Sequence, residues 1–222
     1  MASTASSHPQ GEKILSYFSF LDAVYALNVS FMKILQRPFY NQKTVDIAKK
    51  LLGKFIYHKV NGFELLARIV ETEAYTQNDP ACHANKGLTP RNKVMFGPGG
   101  YVYVYFTYGN HWLLNFVTAR EGAGEAVLIR AVEPIKGIAV MRHNRPTVKK
   151  DVNLTNGPGK LTQALAITKD YYGMDLTDKN FHVLDNGEKP KKIVVTTRIG
   201  INNGSELPYR FYIKDNPYVS RL

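Results

Sequence analysis

Ile-Val-Glu-Thr-Glu-Ala-Tyr-Thr-Gln-Asn-Asp-Pro-Ala-Cys-His, residues 69–83, is an apolar strand closed by an acid, an aromatic ring and, further on, an imidazole. Strand alternation places Glu71, Glu73 and Tyr75 on one face and Val70, Thr72 and Ala74 on the other. A carboxylate beside a ring, with His83 in the following loop, suits a pocket that stacks a planar ligand and activates water. Upstream, Lys54 to Tyr75 reads as strand, Asn61-Gly62 turn, strand, which is a hairpin signal. Downstream, residues 76–100 hold many turn formers and few periodic apolar positions, so they read as a long functional loop. Tyr101–Thr107 and His111–Thr118 then form a second, tyrosine-loaded hairpin with Tyr108-Gly109-Asn110 near its tip.

Outside this centre the pattern predicts a short helix capped by Thr44 that carries Val45, Ile47, Ala48, Leu51 and Leu52 inward and ends at Gly53. It also predicts a strand over Ala126–Val132, a helix over Ile135–Arg142 after Glu133-Pro134, and a helix opened by Asn156-Gly157-Pro158-Gly159-Lys160 that runs to Ile167. Residues 181–222 alternate short strands with turns. Residues 1–13 are Ser-rich and polar. Ile14 to Leu35 is nearly all apolar, with a small or polar stripe at Ser16, Ser19, Asp22, Ala26, Ser30 and Lys33, and reads as an amphipathic helix. Docking to the domain or a partner is favoured over membrane contact, since a central Asp22 costs about 2.5–3.5 kcal/mol in a spanning helix. The chain therefore divides into an N-terminal extension, 1–35, and one domain, 36–222.

The chain has 222 residues, with 29 Lys and Arg against 18 Asp and Glu, a formal charge of +11. Such an excess fits a polyanionic partner whose counterions are displaced on binding. Cys82 is the only cysteine; no intrachain disulfide can form, a reducing compartment is favoured, and a thiol nucleophile has no recognisable base beside it. Histidines at scattered spacing predict no metal site. Arg142, Arg145 and Lys160 are candidates for phosphate contacts, Lys160 because it opens a helix.

The motifs together resemble the alkyladenine (methylpurine) DNA glycosylase family of base-excision repair. The resemblance runs from about Arg37 to Arg221 and rests on several segments in order. They are Arg68–Tyr75, Asp79–His83, Thr89–Asn92, Met95-Phe96, Tyr101–Asn115, Ala126–Pro134, Asn156–Ile167, Arg198–Ile201, Arg210–Tyr212 and Tyr218–Arg221. It implies an α+β fold: a single domain around a curved, mostly antiparallel β-sheet (a partly open barrel) with flanking helices. It further implies hydrolysis of the bond between a damaged purine and deoxyribose, with no cofactor. By that resemblance Glu73 positions and deprotonates the attacking water, and Tyr75, His83 and Tyr105 enclose the flipped base. Tyr108 wedges into the minor groove, Asn115 crowds the exocyclic amine of guanine, and Arg130 sits near the water and the DNA backbone. No lysine matches a Schiff-base nucleophile, which implies a monofunctional enzyme.

The residues agree with this chemistry. Breaking an N-glycosidic bond develops positive charge on the sugar, which a carboxylate can offset while it accepts a proton from water. Glu73, one strand step from Tyr75, is better placed than Glu71, which is read as structural or as a support to the catalytic acid. Tyr101 and Tyr103 are read as sheet packing. Expected substrates are 3-methyladenine, hypoxanthine and ethenoadenine in double-stranded DNA, processed by an intracellular monomer without a membrane partner. Two other readings compete: a non-catalytic module that stacks bases on tyrosines, and a hydrolase of free nucleosides.

Overall fold

In the computed structural model of the protein, the described residues are 31–107 and 109–221. Nine strands form a single open sheet, and its pairings are antiparallel. The strands are β1 (Lys33–Ile34), β2 (Phe55–Val60), β3 (Phe63–Tyr75), β4 (Val102–Thr107), β5 (His111–Val117), β6 (Ala126–Lys136), β7 (Phe181–Asp185), β8 (Ile193–Thr196) and β9 (Arg210–Ile213). Their order is β1-β7-β2-β3-β6-β5-β4, with β9 on β3 and β8 on β9. Helices α1 (Arg37–Tyr40), α2 (Thr44–Lys50), α3 (Ile138–Asn144), α4 (Val152–Thr155) and α5 (Pro158–Ala164) are short. The α+β class with a mostly antiparallel, unclosed sheet is thus the observed architecture. Among the described residues no helix is long and apolar enough to cross a membrane.

Both expected hairpins form. Asn61 and Gly62 have φ of +50° and +82°, the left-handed pair that a two-residue turn matched to strand twist requires. Tyr108, expected at the tip of the β4–β5 hairpin, lies outside the described residues, as do residues 14–30 of the expected N-terminal helix. At the end of that stretch Lys33–Ile34 is a strand paired with β7.

Two local readings are corrected. Thr44 does not cap α2 with its side chain; its hydroxyl is drawn instead to Thr118 at 2.8 Å and to Glu125, inside the protein. Strand β6 runs through Glu133-Pro134 to Lys136, and the helix starts only at Ile138, after Gly137 at φ +77°. Pro134 is tolerated because the β3–β6 register shifts beside its partner Ala67, and an irregular pairing is where a sheet accommodates a residue without an N–H.

Strand β3 is the backbone of the fold. It pairs with β6 along one side, and on the other with β2 over residues 63–68 and β9 over 71–73. Leu65, Ala67 and Ile69 belong to the main core, as does Ala74, while Thr72 bonds the Ala48 carbonyl of α2 at 2.8 Å. Odd positions thus face the core before residue 70 and even positions after it. The register shifts on either side of Glu71 account for the reversal, since an extra residue in one strand re-aims every side chain that follows. Without that bulge Glu71, Glu73 and Tyr75 would point into the aliphatic core.

Burial holds His58 well below the usual imidazole range, at about 4, and His182 is also lowered by burial. Both are neutral in the fold, but below about pH 6.5 the unfolded chain protonates them. Stability is therefore complete above pH 6.5 and lost as pH falls toward 4, His58 alone contributing about 3 kcal/mol. Melting temperatures at pH 7 and pH 4.5 should show the fall, and His58→Gln should flatten part of it; an unaltered fall in the variant would assign it to other groups.

Candidate active site

Two carboxylates on β3 are fully buried, which is costly for either unless donors converge on it. Glu71 receives Arg210 Nε at 2.6 Å, the Ser220 amide at 2.7 Å and the Ser220 hydroxyl at 3.0 Å, with Arg130 Nε 3.3 Å away. Every one of these partners ties β3 to β9, β6 or the C-terminal segment, so Glu71 is a structural acid. Glu73 is held differently. Its Oε1 accepts the Ile199 amide at 2.9 Å and lies 3.2 Å from Arg130 Nη1, and its Oε2 accepts the Tyr75 hydroxyl at 2.8 Å. A carboxylate offers about four acceptor positions. Two are filled by hydrogen bonds, and the Arg130 guanidinium faces Oε1 as an ion pair.

Beside it opens a narrow recess whose walls include Tyr75, His83, Tyr105 and Asn115, the four side chains expected around a base. Tyr103, Met95, Ala81 and Ala126 complete the lining. Glu73 itself lies behind this wall, joined to it through the Tyr75 hydroxyl. Burial and the neighbouring Glu73 carboxylate push the Tyr75 phenol far above its ordinary pKa, so it stays a donor to the acid. Asn115, almost fully buried, is fixed by bonds from its Nδ2 to the carbonyls of Tyr103 (3.2 Å) and Leu113 (3.3 Å).

Three residues that sequence reasoning undervalued hold this wall in place. Tyr103 is 1% exposed, and its hydroxyl lies 2.8 Å from His83 Nδ1. That contact fixes the imidazole, which meets Tyr105 edge-on with ring centres 4.5 Å apart. His83 as a residue remains exposed, yet desolvation of the ring and the nearby Arg91 charge keep its pKa below the usual value; it is neutral at pH 7. Arg198 and Asp79 form the second support. Both side chains are fully buried, and they pair through Nη1–Oδ2 and Nη2–Oδ1. Arg198 also donates to the Ala74 carbonyl at 3.0 Å and lies 4.6 Å from the centre of the Tyr75 ring. The pocket ring thus rests on a guanidinium fixed by the loop before β9.

The expected phosphate contacts lie elsewhere. Arg142 makes a two-pronged pair with Asp151 at 2.9 and 2.7 Å. Arg145 donates to the Leu154 carbonyl at 2.7 Å and to Gln163 at 3.1 Å. Lys160 donates to Asn156 at 2.8 Å. These three side chains knit α3, α4 and α5 together. Gly159, at the start of α5, abuts His111 on β5 so closely that a Cβ would come within 2.7 Å of the imidazole. Cys82 is buried, and burial pushes its thiol up to about 11, which leaves it unreactive. Among the described residues no three His, Cys, Asp or Glu side chains are grouped to hold a metal ion.

Residues 38–217 match the model of the family described as Methylpurine-DNA glycosylase. Curated relatives extend over most of the chain. A protein of Carboxydothermus hydrogenoformans is 53% identical over 190 residues, covering 85% of this chain and 99% of its own. One from Francisella tularensis is 51% identical over 183 residues (81% and 94%), and one from Methanoculleus marisnigri 48% over 191 (84% and 98%). Each bears the name "Putative 3-methyladenine DNA glycosylase".

Proposed function

This chain belongs to the methylpurine-DNA glycosylase family and is a DNA glycosylase, and on that premise we propose that it is a monofunctional enzyme that flips alkylated or deaminated purines out of duplex DNA and releases them by hydrolysis. The observation that carries the reading is Glu73: a buried carboxylate held by two hydrogen bonds and the Arg130 ion pair, directly behind an aromatic recess. The catalytic domain is built on residues 36–222 and joined by the strand Lys33–Ile34, and the residues before that strand are an extension to it. The protein acts inside the cell as a monomer.

An extruded purine enters between Tyr75 and the His83–Tyr105 pair. An electron-poor lesion gains about 0.5–2 kcal/mol from such faces when it is cationic. Tyr108 fills the gap in the duplex and offsets a few kcal/mol of unstacking. Asn115, immobile between two carbonyls, crowds guanine's exocyclic amine. The bond from C1′ to the purine nitrogen breaks with its electrons going to the base. Water oxygen bonds to C1′ and Glu73 accepts the water proton, while Arg130 keeps the carboxylate in place.

The expected substrates are 3-methyladenine, hypoxanthine and ethenoadenine. Duplexes with a single lesion of each kind, incubated with the full chain and then treated with alkali, should break at the lesion. Lesion-specific binding with no break in any of the three would favour a base-stacking binding module instead. His83→Ala should slow hypoxanthine processing by about tenfold, the worth of one contact from a fixed polar group. Unchanged single-turnover kinetics would rule that contact out.

A further inference from the structure

Arg91 stands apart from the other charges around the recess. Glu73 is paired with Arg130, Glu71 with Arg210, and Asp79 with Arg198. Arg91 is exposed, and among the described residues it forms no ion pair. Its guanidinium lies 5.5 Å from the centre of the Tyr105 ring, and its hydrogen bond among those residues is a long 3.5 Å donation to the Phe106 carbonyl. A cation is thus held over the outer side of a pocket wall with its donors almost unused.

The loop places it there by construction. Thr89 and Asn92 close a turn on each other: the Thr89 amide donates to Asn92 Oδ1 at 2.6 Å, and the Asn92 amide to Thr89 Oγ1 at 3.3 Å. Asn92 is 1% exposed, and its Nδ2 donates to the carbonyls of His83 (2.8 Å) and Gly87 (3.0 Å). The turn that carries Pro90-Arg91 at its tip is therefore clasped to the backbone of a pocket residue. Lys86 and Lys93 are exposed on the same loop, and no Asp or Glu occurs between Asp79 and Glu121. An acid-free segment that presents a fork of exposed N–H donors beside a pocket wall matches a phosphodiester, which Arg can bind with two parallel bonds.

We propose that Arg91 grips a backbone phosphate of the strand that carries the extruded nucleotide and so anchors that strand at the rim of the pocket. The proposal rests on the glycosylase reading and adds a positioning residue to it. Arg142 and Arg145 already donate to Asp151, Gln163 and the Leu154 carbonyl and are not needed for this grip.

The test is duplex binding by the full chain, Arg91→Gln and Arg91→Lys, over 50–200 mM salt, with single-turnover base release measured alongside. Each phosphate neutralised contributes a slope of about −0.9 in log affinity against log salt. Arg91→Gln should bind about tenfold more weakly at the low-salt end, with a slope shallower by about 0.9. Arg91→Lys should restore the slope, because a lysine still displaces a counterion. A slope unchanged by Arg91→Gln would overturn the proposal whatever happened to affinity, because it would show that the side chain only props Tyr105. If the unaltered chain bound duplex but released no base, the glycosylase reading would fail while the slope still judged Arg91. If it did not bind duplex at all, both would fall.

Discussion

Glu73→Gln should lower base release by on the order of 10²–10⁴-fold while the protein still binds lesion-bearing duplex, because general-base assistance by a placed side chain is of that size. The substitution keeps the shape of the side chain and its position on β3. The carboxamide oxygen can still accept the Ile199 amide, as Glu73 Oε1 does at 2.9 Å. The carboxamide cannot take a proton from water, and with its oxygen at the Oε1 position its nitrogen faces the Tyr75 hydroxyl, which loses its acceptor, while Arg130 still faces the oxygen. A loss of about 1–3 kcal/mol in stability should accompany the loss of activity, the cost of a buried donor left without an acceptor. Single-turnover rates and thermal melts of the two proteins check both parts. A variant that retained rates within a factor of ten would move the base role away from Glu73.

Arg198→Met should have the largest effect on stability. It leaves the carboxylate of Asp79, 2% exposed, with no countercharge and only the Ala81 amide as donor, where two guanidinium contacts had satisfied it. Removing one partner of a buried ion pair costs about 3–5 kcal/mol. In a domain of this size that lowers the melting temperature by roughly 10 °C. The same change removes the guanidinium beneath the Tyr75 ring and its bond to the Ala74 carbonyl, so the pocket wall loosens together with the fold. Adding Asp79→Asn to Arg198→Met should recover part of the stability, since the stranded charge is then gone; this is the coupling that a double-mutant cycle reads. A melt unchanged within experimental error would show that the pair adds nothing net.

Much of this was legible where the signal is local. The Asn61-Gly62 turn, the second hairpin, and Glu73 and Tyr75 on one face follow from residues a few positions apart. The boundary of β6 was not, because Pro134 is an ordinary strand breaker and only its irregular pairing with β3 admits it. The bulge that turns Glu71, Glu73 and Tyr75 away from the core leaves no mark in the hydrophobic pattern, since both faces of β3 are buried there. Tyr103 could have been found. It alternates with Tyr105, so whatever Tyr105 faces, Tyr103 faces too. Arg198 lies 119 positions from Asp79, and no periodicity connects residues so far apart; only their motifs drew notice. Arg142 and Arg145 also tie short helices together, contacts that a run of cations in the sequence does not reveal.

The most direct measurement follows the free base. A duplex with one hypoxanthine is mixed with excess protein, and the released purine and the state of the strand are quantified before any alkali is added. The account predicts one equivalent of free hypoxanthine and an unbroken strand that breaks only on later treatment with alkali. Tight binding of that duplex without release of hypoxanthine, 3-methyladenine or ethenoadenine from matched substrates would contradict it.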